Sequence, residues 1–160
     1  MKTLIVLLVL GALGYFAWQK YVGGPPMVIE NPVYGEVRAT ANIEGREIEM
    51  AMFARMASDI DCKARARISW EGALKGCPSC QLQEPVCKTE LPPRYAKLFD
   101  DVPIPSTYLS LTAGVAGERD GRLVVYGLTD QEGEVICEQM RAMVQKNYRG
   151  EVHCVRASGG

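Results

Sequence analysis

Asp120 to Cys154, DGRLVVYGLTDQEGEVICEQMRAMVQKNYRGEVHC, is the segment from which the rest of the chain can be read. Asp120-Gly121 predicts a hairpin turn, with Leu123 to Leu128 as the strand that leaves it. Thr129 and Glu132 stand at capping-box spacing and open a helix whose apolar stripe holds Cys137, Met140, Val144 and Tyr148. Gly150 is placed to end that helix, and Glu151 to Arg156 follows as a strand carrying His153 and Cys154. On the other side of the turn, Leu109, Leu111 and Ala113 alternate as its partner strand.

The same succession occurs earlier in the chain. Val37, Ala39, Ala41 and Ile43 alternate with Glu36, Arg38, Thr40 and Asn42, Glu44-Gly45 supplies a turn, and Ile48, Met50 and Met52 form the returning strand. Ser58 is a helix N-cap, with Asp59 and Asp61 in the first turn where the helix dipole favours negative charge. Cys62, Ala66, Ser69, Trp70, Ala73 and Leu74 make one stripe, and Gly76 ends the helix. Turn glycine, helix cysteine, closing glycine and returning cysteine fall at Gly45, Cys62, Gly76 and Cys80, and again at Gly121, Cys137, Gly150 and Cys154. Their spacings are 17, 14 and 4 residues against 16, 13 and 4. Glu44-Gly45-Arg46 echoes Asp120-Gly121-Arg122 as well. The expected fold is therefore α+β: two ββαβ units related by internal duplication, spanning 36–90 and 106–156, with their helices on one face of an antiparallel or mixed sheet. Leu91 to Ser106, with four prolines, reads as a connector, and residues 157–160 as a frayed tail.

The amino terminus places this domain. Lys2 precedes an apolar run from Leu4 to Trp18, bordered by Tyr15, Trp18, Lys20 and Tyr21. Thr3 to Val22 is about 20 residues, enough at roughly 1.5 Å per residue to cross a hydrocarbon core. Residues 1–22 are thus expected to form a single transmembrane anchor, and 23–35, with Gly-Gly-Pro-Pro and Asn31-Pro32, a semi-rigid spacer. The alternative is a cleaved signal ending at Ala12-Leu13-Gly14, giving a secreted or periplasmic protein, but the bulky Tyr15-Phe16 pair favours the uncleaved form. Gly11, Gly14 and Ala17 make a small-residue strip within the span.

Six cysteines behind such a leader predict disulfides and an oxidising space such as a periplasm. A helix and its returning strand bring cysteines to a common face, which pairs Cys62 with Cys80 and Cys137 with Cys154 and leaves Cys77 for Cys87. Other connectivities stay open. A net charge of −1, with 48% apolar and 23% charged residues, excludes a disordered chain and a basic nucleic-acid binder.

Catalytic signals are few. Cys77-Pro-Ser-Cys80 has the spacing of thiol–disulfide oxidoreductases, but follows a helix C-terminus, whose dipole disfavours a thiolate. A zinc set would need Cys77, Cys80, Cys87 and the single histidine, His153. Met50, Met52, Met56, Met140 and Met143 are thioethers that suit cuprous copper, yet read more simply as core filler. Asp100-Asp101 reads as a solvated turn, and neither a nucleophile–histidine–carboxylate arrangement nor a phosphate-cradling loop is found. No catalytic, cofactor-binding or metal residue is assigned. The expectation is a membrane-anchored extracytoplasmic interaction or assembly module with a protein partner in the envelope; the alternatives are a thiol–disulfide enzyme using Cys77 and Cys80, and a metal-binding domain.

Overall fold

The computed structural model describes residues 23–76 and 80–158; the expected span at 3–22, Cys77 and the end of the tail lie outside the described residues. Among the described residues no helix is long and apolar enough to cross a membrane.

Alternation of apolar and polar residues produces two long strands, β1 (Val33–Ile43) and β2 (Arg46–Met56), joined at Glu44 and Gly45 with φ of 52° and 83°. Positive φ at both turn residues matches the right-handed twist of the strands, and the Asn42 side chain accepts from Gly45 N at 3.1 Å. Helix α1 (Asp59–Gly76) begins where expected, its Asp61 N donating to Ser58 Oγ at 3.2 Å. Two short strands, β3 (Gln81–Leu82) and β4 (Val86–Lys88), return to β1. A single turn of helix, α2 (Pro93–Ala96), continues into a 3-10 turn (Lys97–Asp100). Strands β5 (Tyr108–Thr112) and β6 (Gly121–Tyr126), helix α3 (Asp130–Val144) and β7 (Glu151–Val155) complete the chain.

The architecture is α+β, with a seven-stranded sheet in the order β3-β1-β2-β6-β5-β7 and β4 also on β1. Every strand pairing is antiparallel. Cys62 on α1 packs against Gly35 and Met56, while α3 covers Leu109, Leu111, Leu123 and Val152 through Cys137, Met140 and Val144. The Thr129–Glu132 capping box is formed in full.

Three boundaries differ from expectation. Strand β1 starts at Val33, inside the expected spacer, because Tyr34 and Gly35 pair with Lys88 and Cys87 of β4. Gly121 is the first residue of β6 rather than a turn residue; the turn is the longer loop 113–120, closed by Asp120 Oδ1 accepting from Ala113 N at 2.9 Å. Helix α3 stops at Val144, and Gly150 lies beyond it at a close crossing of chains, where a Cβ would stand 1.9 Å from the Thr112 carbonyl oxygen.

The connector is the largest surprise. Its Tyr95, Leu98, Phe99 and Ile104 are buried in one core with Ala51, Phe53, Tyr108 and Val124. The second face of the sheet, which alternation in β1 marks as polar, becomes apolar at Ala51 and Phe53 of β2, and burying each large side chain there stabilises by roughly 1.5 to 3 kcal/mol.

Candidate functional site

Strand register lines up five residues across the face covered by the connector. Glu36 lies opposite Phe53, Phe53 opposite Arg122, Arg122 opposite Ser110, and Ser110 opposite His153. Arg122 is only 3% exposed, so its charge has to be satisfied within the protein. Its Nε donates to Leu98 O at 2.7 Å, Nη1 to Leu111 O at 2.9 Å and Gly121 O at 2.8 Å, and Nη2 to Phe99 O at 3.3 Å. Burial pulls its pKa down, opposed by Asp101 and Asp120. One guanidinium thus bolts the connector, through the Leu98 and Phe99 carbonyls, onto the sheet, where it also holds the Leu111 and Gly121 carbonyls.

Asp101, at φ 53°, closes the 3-10 turn and is not the solvated residue expected of it. Its Oδ1 accepts from Ser110 Oγ at 2.7 Å and lies 3.2 Å from Arg122 Nη2, while Oδ2 lies 3.2 Å from His153 Nε2. Serine, carboxylate and imidazole therefore meet, but not in the order of a nucleophile–histidine–carboxylate relay: the carboxylate stands between the other two, and fully buried Ser110 donates its hydrogen bond to Asp101 rather than to the imidazole. This group is a lock between layers.

Beside it opens a cleft of about 380 Å³ between the connector and the β1–β2–β6 part of the sheet. Arg38 forms its inner wall, held by Glu36 at 2.5 Å and by Glu49, with its guanidinium 5.1 Å from the Tyr95 ring centre. Burial opposes the charge of Glu36, but bonds from Lys88 and Arg38 hold its pKa below the ordinary carboxylate value. Arg38 shifts the other way: burial lowers its pKa, and bonds to Glu36, Tyr95 and Glu49 raise it by more. Exposed Arg94 and Lys97 form the rim, Arg94 lying 4.5 Å from the Tyr95 ring centre, and half-buried Tyr126 closes one side. Burial pushes the Tyr126 phenol up. No sequence signal selected these residues, because they are separated in the chain and meet only when the connector folds onto the sheet.

The cysteines pair differently from the expected set. Cys62 is bonded to Cys87 with Cα atoms 6.1 Å apart, which corrects both Cys62–Cys80 and Cys77–Cys87. The physical reason is register: Cys87, opposite Gly35 on β1, is the strand residue that lies under Cys62. Cys80 is disulfide-bonded too, and among the described residues no cysteine is free. Cys137 and Cys154 are linked as the spacing suggested, with Cα atoms 6.0 Å apart. Cys87 is therefore unavailable to the zinc set, and His153 sits on β7, at the opposite end of the sheet from β4. Among the described residues no group of histidine, cysteine or carboxylate side chains is arranged to hold a metal. Met56 is buried, Met50 and Met52 are partly buried, Met140 packs in the second core, and Met143 is exposed. Compared with known proteins, the chain matches no family model, no curated protein and no solved structure.

Proposed function

We propose that the chain is a membrane-anchored extracytoplasmic interaction or assembly module, built as two copies of one ββαβ unit with both long helices on a common face of the sheet. The observation that carries this reading is the pair of clamps: Cys62–Cys87 and Cys137–Cys154 each tie a long helix to the strand that returns beside the first strand of its hairpin. Such bonds persist in oxidising spaces, and the apolar leader supplies the route there. The duplication is supported by the strand order, which reads alike from both ends toward the β2–β6 seam. Cys87 lies opposite Gly35 and Cys154 opposite Leu109; the hairpin partners of these two are Ala54 and Leu123. At the seam, Ala54 pairs with Gly121 and Met52 with Leu123, so exchanging the units exchanges these pairs about a centre at Phe53 and Arg122.

Ion pairs across the units support it too. Arg46, at the first hairpin, reaches Glu132 at the start of α3 at 2.8 Å, and Arg119, in the second hairpin loop, reaches Asp61 at the start of α1 at 2.8 Å. An interaction role is supported by Ile60 and Ile68, which are 80% and 69% exposed on α1. The test is a full-length fusion to a reporter active only after export, combined with peptide mapping of the non-reduced protein. Activity in a membrane fraction with both clamps oxidised is expected; an inactive reporter with reduced thiols would sink the reading.

A second reading, a thiol–disulfide enzyme using Cys77 and Cys80, is favoured by one observation. Because Cys62 pairs with Cys87, the clamp of the first unit does not use the C-x-x-C motif. If the purified full-length chain accelerates glutathione-driven reduction of a disulfide substrate, and Cys80→Ser abolishes this, the second reading replaces the first.

A further inference from the structure

We infer that the cleft between the connector and the sheet is a binding site for a small organic anion, a carboxylate or phosphate carried on a flat apolar body. The inference concerns a site on the domain itself and stands whether or not the chain is anchored.

Charge is the first support. Three cations, Arg38, Arg94 and Lys97, face one carboxylate, Glu49, in a protein whose formal net charge is −1. Glu36 does not redress the balance, because its second oxygen is taken by Lys88 at 2.7 Å. Among the described residues, Arg94 and Lys97 have no carboxylate partner. A concave surface with such a surplus attracts anions and concentrates them.

Preorganisation is the second. Arg38 cannot swing away, being held by two carboxylates with its guanidinium 5.7 and 5.1 Å from the ring centres of the packed Phe53–Tyr95 pair. A guanidinium fixed in this manner retains donors at little further entropic cost. Arg94 is steadied by its contact with the same Tyr95 ring.

The third support is shape. Half-buried Tyr126 offers an aromatic wall beside Tyr95, whose ring is already packed by Phe53 and Arg94, and the Tyr126 hydroxyl has no hydrogen-bond partner among the described residues. The volume of about 380 Å³ falls at the small end of ligand sites, which suits a single ring bearing one anionic group.

The experiment uses the oxidised full-length chain in neutral detergent micelles, with tyrosine rings labelled for NMR. The probes are benzoate, phenyl phosphate, neutral benzamide and inorganic phosphate. Benzoate and phenyl phosphate should give saturable shifts at Tyr95 and Tyr126, with benzamide binding at least about tenfold more weakly. Raising salt should weaken the anions. The double substitution Arg94→Ala with Lys97→Ala should reduce anion affinity by about tenfold while leaving the Tyr148 resonance in place, and Arg94→Lys with Lys97→Arg should restore most of it. Absence of saturable shifts, equal binding of benzamide, or affinity indifferent to salt and to both pairs of substitutions would overturn the site. Inorganic phosphate binding as tightly as phenyl phosphate would overturn the apolar half of the ligand.

Discussion

The two halves of the molecule solve one problem with different amounts of chain. In the first, 25 residues separate the clamped cysteines; in the second, 17. The surplus lies almost entirely in the helix: α1 runs on from Cys62 to Gly76, whereas α3 runs only from Cys137 to Val144, and the stretches from helix end to returning cysteine are nearly equal in length. In the hairpins the balance reverses, since β1 and β2 meet at a two-residue turn whereas β5 and β6 are joined by the loop 113–120. What both halves keep is a helix bonded to the strand beside its hairpin. The sequence echo sets Arg46 beside Arg122, but the arginine that, like Arg46, pairs with a carboxylate at a helix start is Arg119.

The comparison can be broken at its centre first. Arg122→Ala should cost about 3 to 5 kcal/mol in urea unfolding, because it strands buried carbonyls and the Asp101 carboxylate; a loss under about 1 kcal/mol would remove Arg122 from its role as the bolt between layers. Removing a clamp comes next. Alanine at both Cys62 and Cys87, or at both Cys137 and Cys154, should cost about 3 kcal/mol, the first pair losing about 0.3 kcal/mol more for its longer loop. One loss in full and the other near zero would deny that the clamps are equivalent.

The acid limb sharpens the comparison at the helix starts. Burial pushes the Asp61 pKa up, but Arg119, the Ala57 N–H and Arg65 hold it down to about 2, below its ordinary 3.8. Its contribution is therefore complete above the ordinary value and is lost as pH falls through about 2, an effect on the order of 2 kcal/mol that Asp61→Asn should flatten in acid-unfolding curves. Glu132 is held near 2 by Arg46 and Thr129, but the pair lies at the surface where solvent screens it, so Glu132→Gln should leave the acid limb almost unchanged. A smaller loss than that of Asp61 is expected at the caps: Thr129→Ala should lose about 1 kcal/mol by thermal melting, and Ser58→Ala no more than that.

Much of this was legible in the residues. Alternation gave β1 and β2, Glu44-Gly45 their turn, and the Thr129–Glu132 pair the start of α3, because each is a local preference that the fold leaves intact. The connector was not legible. Proline suppresses the periodicity by which Leu98 and Phe99 would announce themselves as core, and Asp101 is drawn inward by Arg122, about twenty residues further on. The pairing of Cys62 followed the same pattern. Equal spacing of Cys80 and Cys154 from Gly76 and Gly150 was suggestive, but register on β1 selected Cys87, and register is a property of the sheet. The cleft was invisible for the plainest reason: Arg38, Arg94 and Tyr126 are neighbours only in three dimensions.

The seam between β2 and β6 carries one last implication. A solitary unit would leave one of these strands with its amides and carbonyls bare, free to recruit any other extended chain. Housing both in a single polypeptide keeps the complementary edge permanently at hand, so closure of the sheet becomes a first-order event that dilution cannot reverse.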